Sequence, residues 1–492
     1  MNNVYERRSL VVVGLVILLG IASTRTTRAG EDRVSGQIIG MARTFTASSR
    51  GLDAIGLNPA NLALDDRGSW VTFEIAPFGF RAGSDLLNYG IYQDYFTGQD
   101  SLKNGQPVKD KDGNTIRVGK LLSQSDKDAI LGLFPGGVAH TQVDFDITEF
   151  GFTVHGEKLG GIGFSVSDQV GVNMDIPEGY LKMALDAFPA SGASYSLDNT
   201  SVTASWLREY NLSYARMIPV QLSWAKEIAV GIGIKYVQGF GYFGTDHYTG
   251  SIQVAPSTFT TDAGQVLPVQ QPLTGNVNFL QYQSHIPFQS DSIAHYMTKP
   301  AGTGIGFDLG VSGQFFQGLR LAASVTDIGK VTWNKFTKAI VGSGGFTVSD
   351  IQDQDSVKNA FKGSTRDTTS FKTSLPTALN LGAAFQLDQA PFITHFPGRL
   401  LVAADLHFGF NNEPGNSTSP RFSLGTEYRP IGMLPIRTGI SIGGRERFSW
   451  ALGMGINTPV WDLDFGTESI ALLTSPNSFR NGSFTLGMRF RI

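Results

Sequence analysis

Apolar and polar positions alternate along most of this chain in segments of about ten residues, the length a tilted strand needs to cross a bilayer. Phe448, Trp450, Leu452, Met454 and Ile456 alternate with Ser449, Ala451, Gly453, Gly455 and Asn457. Ile305, Phe307, Leu309 and Val311 alternate with Gly306, Asp308, Gly310 and Ser312, and Val230, Ile232, Ile234 and Tyr236 with Gly231, Gly233, Lys235 and Val237. The final stretch from Ser483 to Ile492 keeps the period without a break. Successive side chains on a strand point to opposite faces, so each segment predicts a strand with one greasy and one wet side. Several greasy sides combine Phe, Trp, Leu, Met and Ile, which no water-facing surface tolerates over many strands. A soluble sandwich or propeller is therefore disfavoured against a membrane barrel.

Read in this way the chain is all-β, a transmembrane antiparallel β-barrel of fourteen strands at 69–80, 144–156, 159–172, 204–217, 226–243, 303–316, 319–332, 374–388, 399–411, 420–430, 434–444, 447–458, 460–472 and 481–492. An even number is what single-chain bacterial barrels have. The long excursions 81–143, 173–203, 244–302 and 333–373 all follow odd-numbered strands. Connections after even-numbered strands are the short ones, such as Glu157 with Lys158, Gln317 with Gly318, and Thr458 with Pro459. This assigns the long loops to the extracellular side and the short turns to the periplasm. The excursion 244–302 holds material for one more pair, around Ile252 and Val254, which leaves sixteen strands as the other count.

Composition adds an export signal. Arg7 and Arg8 precede an apolar run from Leu10 to Ile21, and Thr27, Arg28 and Ala29 offer a small-x-small cleavage site, the form of a secretory signal over residues 1–29. The run is short of the roughly 20 residues a spanning helix requires. The full chain of 492 residues has a net charge of −3; the leader holds Arg7, Arg8, Arg25 and Arg28 against Glu6, a net +3, so the mature chain carries −6. A mildly acidic chain without clustered Lys and Arg is no nucleic-acid binder. With no cysteine, disulfides, thiolate metal sites and cysteine nucleophiles are excluded. The histidines form no close pair, so neither metal nor cofactor is expected. Gly439, Ser441 and Gly443 match a Gly-x-Ser-x-Gly pattern, but in mid-strand rather than on a strand-to-helix elbow. Asp110, Asp112 and Asn114 lack the glycine and glutamate that complete a calcium loop. No catalytic residues, and hence no enzyme, are expected.

Residues 30–68, between the leader and the barrel proper at 69–492, are polar, rich in Gly and Ser, and do not alternate. Asn58 and Pro59 read as a turn after a short helix near Asp53. The wet sides of the strands carry Lys235, Asp308, Asp405, His407, Arg421, Glu427, Arg429, Asp462 and Asp464. Mixed charges inside a barrel need water or partners, and a polar N-terminal plug in the lumen supplies both. One charge breaks the alternation: Asp168 falls on the apolar parity between Val166 and Val170, where facing lipid costs about 2 kcal/mol or more at the midplane and little near the outer rim. Phe134, Phe188, Phe240 and Phe243, at loop ends, read as an interfacial aromatic girdle or a greasy entry.

The Gly40-Met41-Ala42-Arg43-Thr44-Phe45 start, the small residues after it, the Asp53-Ala54 pair and the Asn58-Pro59-Ala60 core resemble the N-terminal hatch of the long-chain fatty-acid transporter family of outer-membrane proteins. The type IX secretion shuttle barrels carry a similar segment. The resemblance covers 40–63 in motif detail, together with strand number and overall length. It implies a bacterial outer-membrane channel for small hydrophobic molecules of the fatty-acid or hydrocarbon class, surrounded by lipid. Its gate would be a lumenal plug involving Arg43, Asp53, Asn58, Pro59 and Ala60. It also implies a kinked third strand that opens laterally, for which Asp168 and Gly171 are the matching positions. Insertion machinery would recognise the last strand, although the family usually finishes on an aromatic residue and this chain on Ile492, with Phe490 on the same face. The shuttle likeness implies the alternative, a non-catalytic barrel that carries substrates or acts as a scaffold for secretion-system proteins.

Overall fold

The computed structural model describes residues 35–86, 89–103, 105–111, 113–186, 192–219, 225–254, 258–260, 266–268, 272–286, 299–348, 354–393, 395–474 and 480–492; the leader, Asp112 and Phe188 lie outside them. Fourteen antiparallel strands among the described residues close into a barrel. They are β1 (Val71–Ile75 with Phe78–Ser84), β2 (Val138–Gly156), β3 (Gly160–Pro177), β4 (Ser201–Met217), β5 (Lys226–Val254), β6 (Gly302–Phe316) and β7 (Leu319–Trp333). The second half comprises β8 (Phe371–Ser374 with Ala378–Gln386), β9 (Arg399–Gly409), β10 (Arg421–Arg429), β11 (Ile436–Gly443), β12 (Arg447–Asn457), β13 (Trp461–Thr467) and β14 (Asn481–Arg491). Each pairs with the next, and β14 returns to β1 through Phe73 opposite Phe490 and Phe80 opposite Phe484, so the sheet has no free edge within the barrel. β1 and β8 are each interrupted at a proline, Pro77 and Pro376, which has no backbone N–H to give the ladder.

The alternation is realised as two opposed faces. Val230, Ile232, Ile234, Tyr236, Ile305, Phe307, Leu309 and Val311 are 40% to 57% exposed on the outside, whereas Lys235, Asp308 and Ser312 on the other parity are buried. A contiguous apolar belt facing outward with charges facing inward is the arrangement of a barrel solvated by lipid.

The excursion after β5 does hold further strands, but they are not barrel staves. The upper part of β5, Tyr242 to Val254, pairs with the strand Leu273–Ser284, which pairs in turn with Thr337–Val348. Lower down β5 pairs directly with β6, so the barrel count stays at fourteen. The raised sheet has its own core of Tyr195, Leu197, Ile252, Val254, Val277, Phe279 and Phe346. Tyr180 and Met183 of the helix Glu178–Leu185, and Val357 and Phe361 of Gln354–Lys362, pack against it.

Residues 35–64 lie within the barrel and are almost entirely buried. Ser35 caps the helix Gly36–Gly40, accepting from the Ile38 N–H, and Asn58 caps the 3₁₀ turn Pro59–Ala63, accepting from the Ala60 N–H at 3.2 Å. Asn58 and Asn61 both donate to the Thr46 carbonyl, at 3.1 and 2.9 Å, tying the two ends of the segment together. The segment runs round the inner wall so closely that it needs glycine there. A Cβ on Gly161 of β3 would lie 1.9 Å from the Leu62 carbonyl oxygen, and one on Gly231 of β5 2.4 Å from the Ala60 nitrogen. Gly161→Val is expected to cost about 1–3 kcal/mol of overpacking. That cost should fall on the docking of residues 35–64, read as faster protease cleavage of this segment while the folded barrel keeps its characteristic gel migration.

Candidate functional site

The lumen is organised around residues 35–64. At the Asp53 end, Asp53 in the 3₁₀ turn Gly51–Ala54 receives both terminal nitrogens of Arg489 from β14, and Arg489 also reaches Glu74 of β1 at 3.1 Å. At the Arg43 end, Ala42 and Arg43 have φ of 52° and 60°, a left-handed turn that costs non-glycine residues roughly 1–2 kcal/mol each. The turn directs the Arg43 guanidinium onto Glu446 at 3.1 Å and Glu468 at 2.7 Å. Glu446, in the turn between β11 and β12, also accepts from Arg81 at 2.6 Å and Gln142 at 2.9 Å. Burial pushes its carboxyl up, but Arg43 and Arg421 beside it hold it below the usual carboxylate range. Asn58, Pro59 and Ala60 sit against Gly231 and Gly310 of β5 and β6.

The wet-side charges read from the sequence all point inward, and the structure divides them into four groups. Asp405 accepts from the Phe45 and Thr46 N–H groups at 2.7 Å each, so it holds the backbone of residues 35–64. Asp462, Asp464, Glu427 and Arg429 join Arg437 and Arg491, with Arg437 bridging Glu427 and Asp464 at 2.6 Å each and Arg491 reaching Asp462 at 2.7 Å. Lys235 stands apart, among Glu209 at 3.2 Å, Asp308 at 3.4 Å and Asp327. His407 bonds Asn380 through Nδ1 at 2.7 Å and Asn416 through Nε2 at 3.3 Å, and Arg421 is buried nearby on β10. Arg489 and Arg491 were readable on the wet parity of the last strand, but only the register of β1, β13 and β14 reveals their partners.

Two lumenal features carry no sequence signal. The loop after β9 folds inward: Pro414 to Ser417 are buried, and Asn173 of β3 donates to the Asn412 and Glu413 carbonyls at 3.1 and 3.2 Å. Beyond Lys235, toward the long-loop end, the inner wall of β4, β5 and β7 turns apolar with Leu207, Val237, Val331, Trp333 and Leu375, joined by Tyr242 and Phe371. Trp333 lies over Gly239 and Gly302 and donates its indole N–H to Thr373 at 2.9 Å.

The break expected at Asp168 and Gly171 is absent. β3 is paired with β4 from Asp175 opposite Ser201 to Gly161 opposite Ala215 without a shift, and with β2 from Pro177 to Gly160 with one bulge, on the β2 side at Glu149, that leaves the pairing continuous. Asp168 does project on the outer parity, but it is neutralised there: Arg208 of β4 reaches it at 2.6 Å and Glu149 at 2.8 Å, and Trp206 donates its indole N–H at 3.2 Å. The row Asp168, Arg208, Gln238 and Thr303 runs directly beyond the row Val166, Tyr210, Tyr236 and Ile305, where the two tyrosine rings lie 6.0 Å apart. Asp168 thus sits just outside an aromatic girdle, where a charge is cheap. Phe240 forms a bulge in β5 and packs on Trp206 and Val170, beneath the Arg208 guanidinium. Phe134 is buried and Phe243 half-buried.

Among solved structures, the chain is similar to one titled a Pseudomonas aeruginosa FadL homologue, with 11% identity, TM-score 0.42 and coverage of 94% of this chain and 100% of that one. It is similar also to the Pseudomonas putida toluene transporter TodX, with 11% identity, TM-score 0.39 and coverage of 94% and 98%. No curated protein matches it. Residues 86–463, most of the barrel, match the family described as "Family of unknown function (DUF5723)", and the chain belongs to that family.

Proposed function

We propose that this protein is a bacterial outer-membrane channel for small hydrophobic molecules, with residues 35–64 as its plug and gate and no chemical step. The observation that carries the reading is the apolar cluster around Trp333 and Val237, packed shut with both residues fully buried, set inside a lumen whose other walls are charged. A conduit for ions or sugars has no use for such a cluster, whereas a hydrophobic guest entering where it parts keeps its apolar surface covered. A hydrophobic permeant arriving from the long-loop side is taken in where this cluster opens. The raised sheet and the inward loop after β9 frame the approach, and the plug closes the way beyond. The outward apolar belt supports a lipid surround, and the short turns at one end support a periplasmic face there.

The test is uptake of a fluorescent long-chain fatty acid and of a small aromatic hydrocarbon by cells with and without the protein. Uptake is expected to depend on the protein and to fall severalfold in Trp333→Ser, whose hydroxyl interrupts the apolar wall. Absence of protein-dependent uptake, with the barrel demonstrably inserted, would discard the channel reading in favour of a secretion scaffold.

A further inference from the structure

On the short-turn side of the plug lies a polar cavity of about 610 Å³. Seven guanidinium groups and five carboxylates line it; Arg67, Arg489 and Arg491 are held in ion pairs with Asp462, Asp53 and Asp66, and the other four guanidiniums outnumber the three carboxylates left, Asp65, Glu227 and Glu427. Arg399 of β9 stands directly across the ladder from Arg429 of β10, like charge against like. Arg429 reaches Glu427 at 2.7 Å, but that carboxylate is shared with Arg437 at 2.6 Å. Arg320 of β7 has one carboxylate partner, Glu227 at 2.7 Å, whose side chain is 54% exposed, and donates also to the Ser312 hydroxyl at 3.4 Å. Arg50, from the plug, donates only to the Ala47 and Ser49 carbonyls, at 3.4 and 2.6 Å, and neither it nor Arg399 forms an ion pair among the described residues. Burial and the neighbouring Arg320, against the opposing pull of Asp66, Glu227 and Asp65, bring the Arg50 pKa down to about 10, so it remains charged at neutral pH. Phe45 and Leu401 border the same space.

A concentration of guanidinium forks that exceeds its carboxylates, around an open volume with an apolar margin, is suited to one kind of guest. Guanidinium matches carboxylate and phosphate oxygens in a bidentate geometry that a neutral or cationic group cannot supply. We propose that this cavity is a binding site, entered from the short-turn side, for an anionic headgroup of the carboxylate or phosphate-monoester class, with Arg50 and Arg399 as its principal contacts. Arg320 and Arg429 add field from the rim, and Phe45 and Leu401 accept the first carbons of an attached chain. The site lies on the far side of the plug from the Trp333 wall. It concerns binding to the purified protein, so its failure and the failure of the uptake reading are separable.

Calorimetric titration of the full barrel in neutral detergent tests it with octanoate, octyl phosphate, octanol and inorganic phosphate. Octanoate and octyl phosphate are expected to bind at least about tenfold tighter than octanol, a difference that one well-placed charge-assisted contact supplies. Competition by inorganic phosphate would assign the site to free anions, and its failure to compete would assign it to amphiphiles; either supports an anion site. Arg50→Gln combined with Arg399→Gln should abolish the preference. Glu227→Gln, which releases Arg320, should strengthen anion binding, and a gain of that sign cannot come from misfolding. Equal binding of octanoate and octanol, or a preference unchanged in the Arg50 and Arg399 double variant, would overturn the proposal.

Discussion

A chain lacking residues 40–63 is expected to conduct ions across a planar bilayer as an open pore, where the intact protein holds it shut. The ladder hydrogen bonds that close the fourteen staves run from strand to strand and involve none of these residues, so the barrel should still insert. Its lumen would change character. Glu446 and Glu468 would lose Arg43, Arg489 would lose Asp53, and Asp405 would lose two backbone donors. Charges stripped of partners in a confined space are stable only if water enters. Eight strands leave a bore that side chains fill, and sixteen to eighteen leave an aqueous channel; fourteen falls nearer the second case. Conductance should stay below that of the larger porins, because the inward loop after β9 remains, with Asn416 still held by His407 and by the Thr377 carbonyl. Gel migration with and without heating verifies that the barrel is folded. A folded but silent variant would identify the loop after β9 as the main barrier and remove the gate from residues 40–63.

The barrel was legible in the sequence because lipid enforces period 2 more strictly than any soluble core. An outward position on β12, such as Trp450 or Met454, has no alternative environment, so its residue type announces its face. Stave limits were less legible. β2 begins at Val138 and β5 runs on to Val254, because beyond the apolar belt no lipid enforces the alternation, and the upper part of β5 packs Ile252 and Val254 into the raised sheet instead. The strands Leu273–Ser284 and Thr337–Val348 do carry apolar positions, such as Val277 and Phe346, but they face helices rather than lipid and share no membrane-length repeat. Asp168 shows the limit of parity reasoning. The face was right and the meaning was not, because parity ignores both height along the barrel and a neighbour such as Arg208, forty positions away in sequence. The same holds within the lumen. Alternation placed Lys235 and Asp464 inside, but which carboxylate meets which guanidinium depends on register across several strands and on the path of residues 35–64.

Asp53→Ala is expected to loosen the docking of residues 35–64 by about 3–5 kcal/mol, the usual cost of leaving one member of a buried ion pair without its partner. Arg489 has a second acceptor in Glu74, at 3.1 Å, but through Nε only, while both of its terminal nitrogens are aimed at Asp53. Loss of Asp53 therefore strands the better-placed half of the fork among buried groups. Replacing Arg489 as well should restore much of the loss, because the double variant Asp53→Ala with Arg489→Met no longer holds an uncompensated guanidinium. The sign of the coupling is thus fixed in advance: the double variant must be more stable than the sum of the single effects. Glu74→Gln should cost less than Asp53→Ala, since it leaves the two-pronged contact in place. Hydrogen exchange of the plug amides in detergent measures the effect where it arises. A loss of 3 kcal/mol raises the open population by roughly a hundredfold, from the tenfold change that each 1.4 kcal/mol brings. Exchange should accelerate across residues 35–64 while the β9–β12 amides stay protected. Equal acceleration in both regions would mean that Asp53 stabilises the barrel as a whole, and additive effects would mean that the contact with Arg489 contributes nothing to holding the plug.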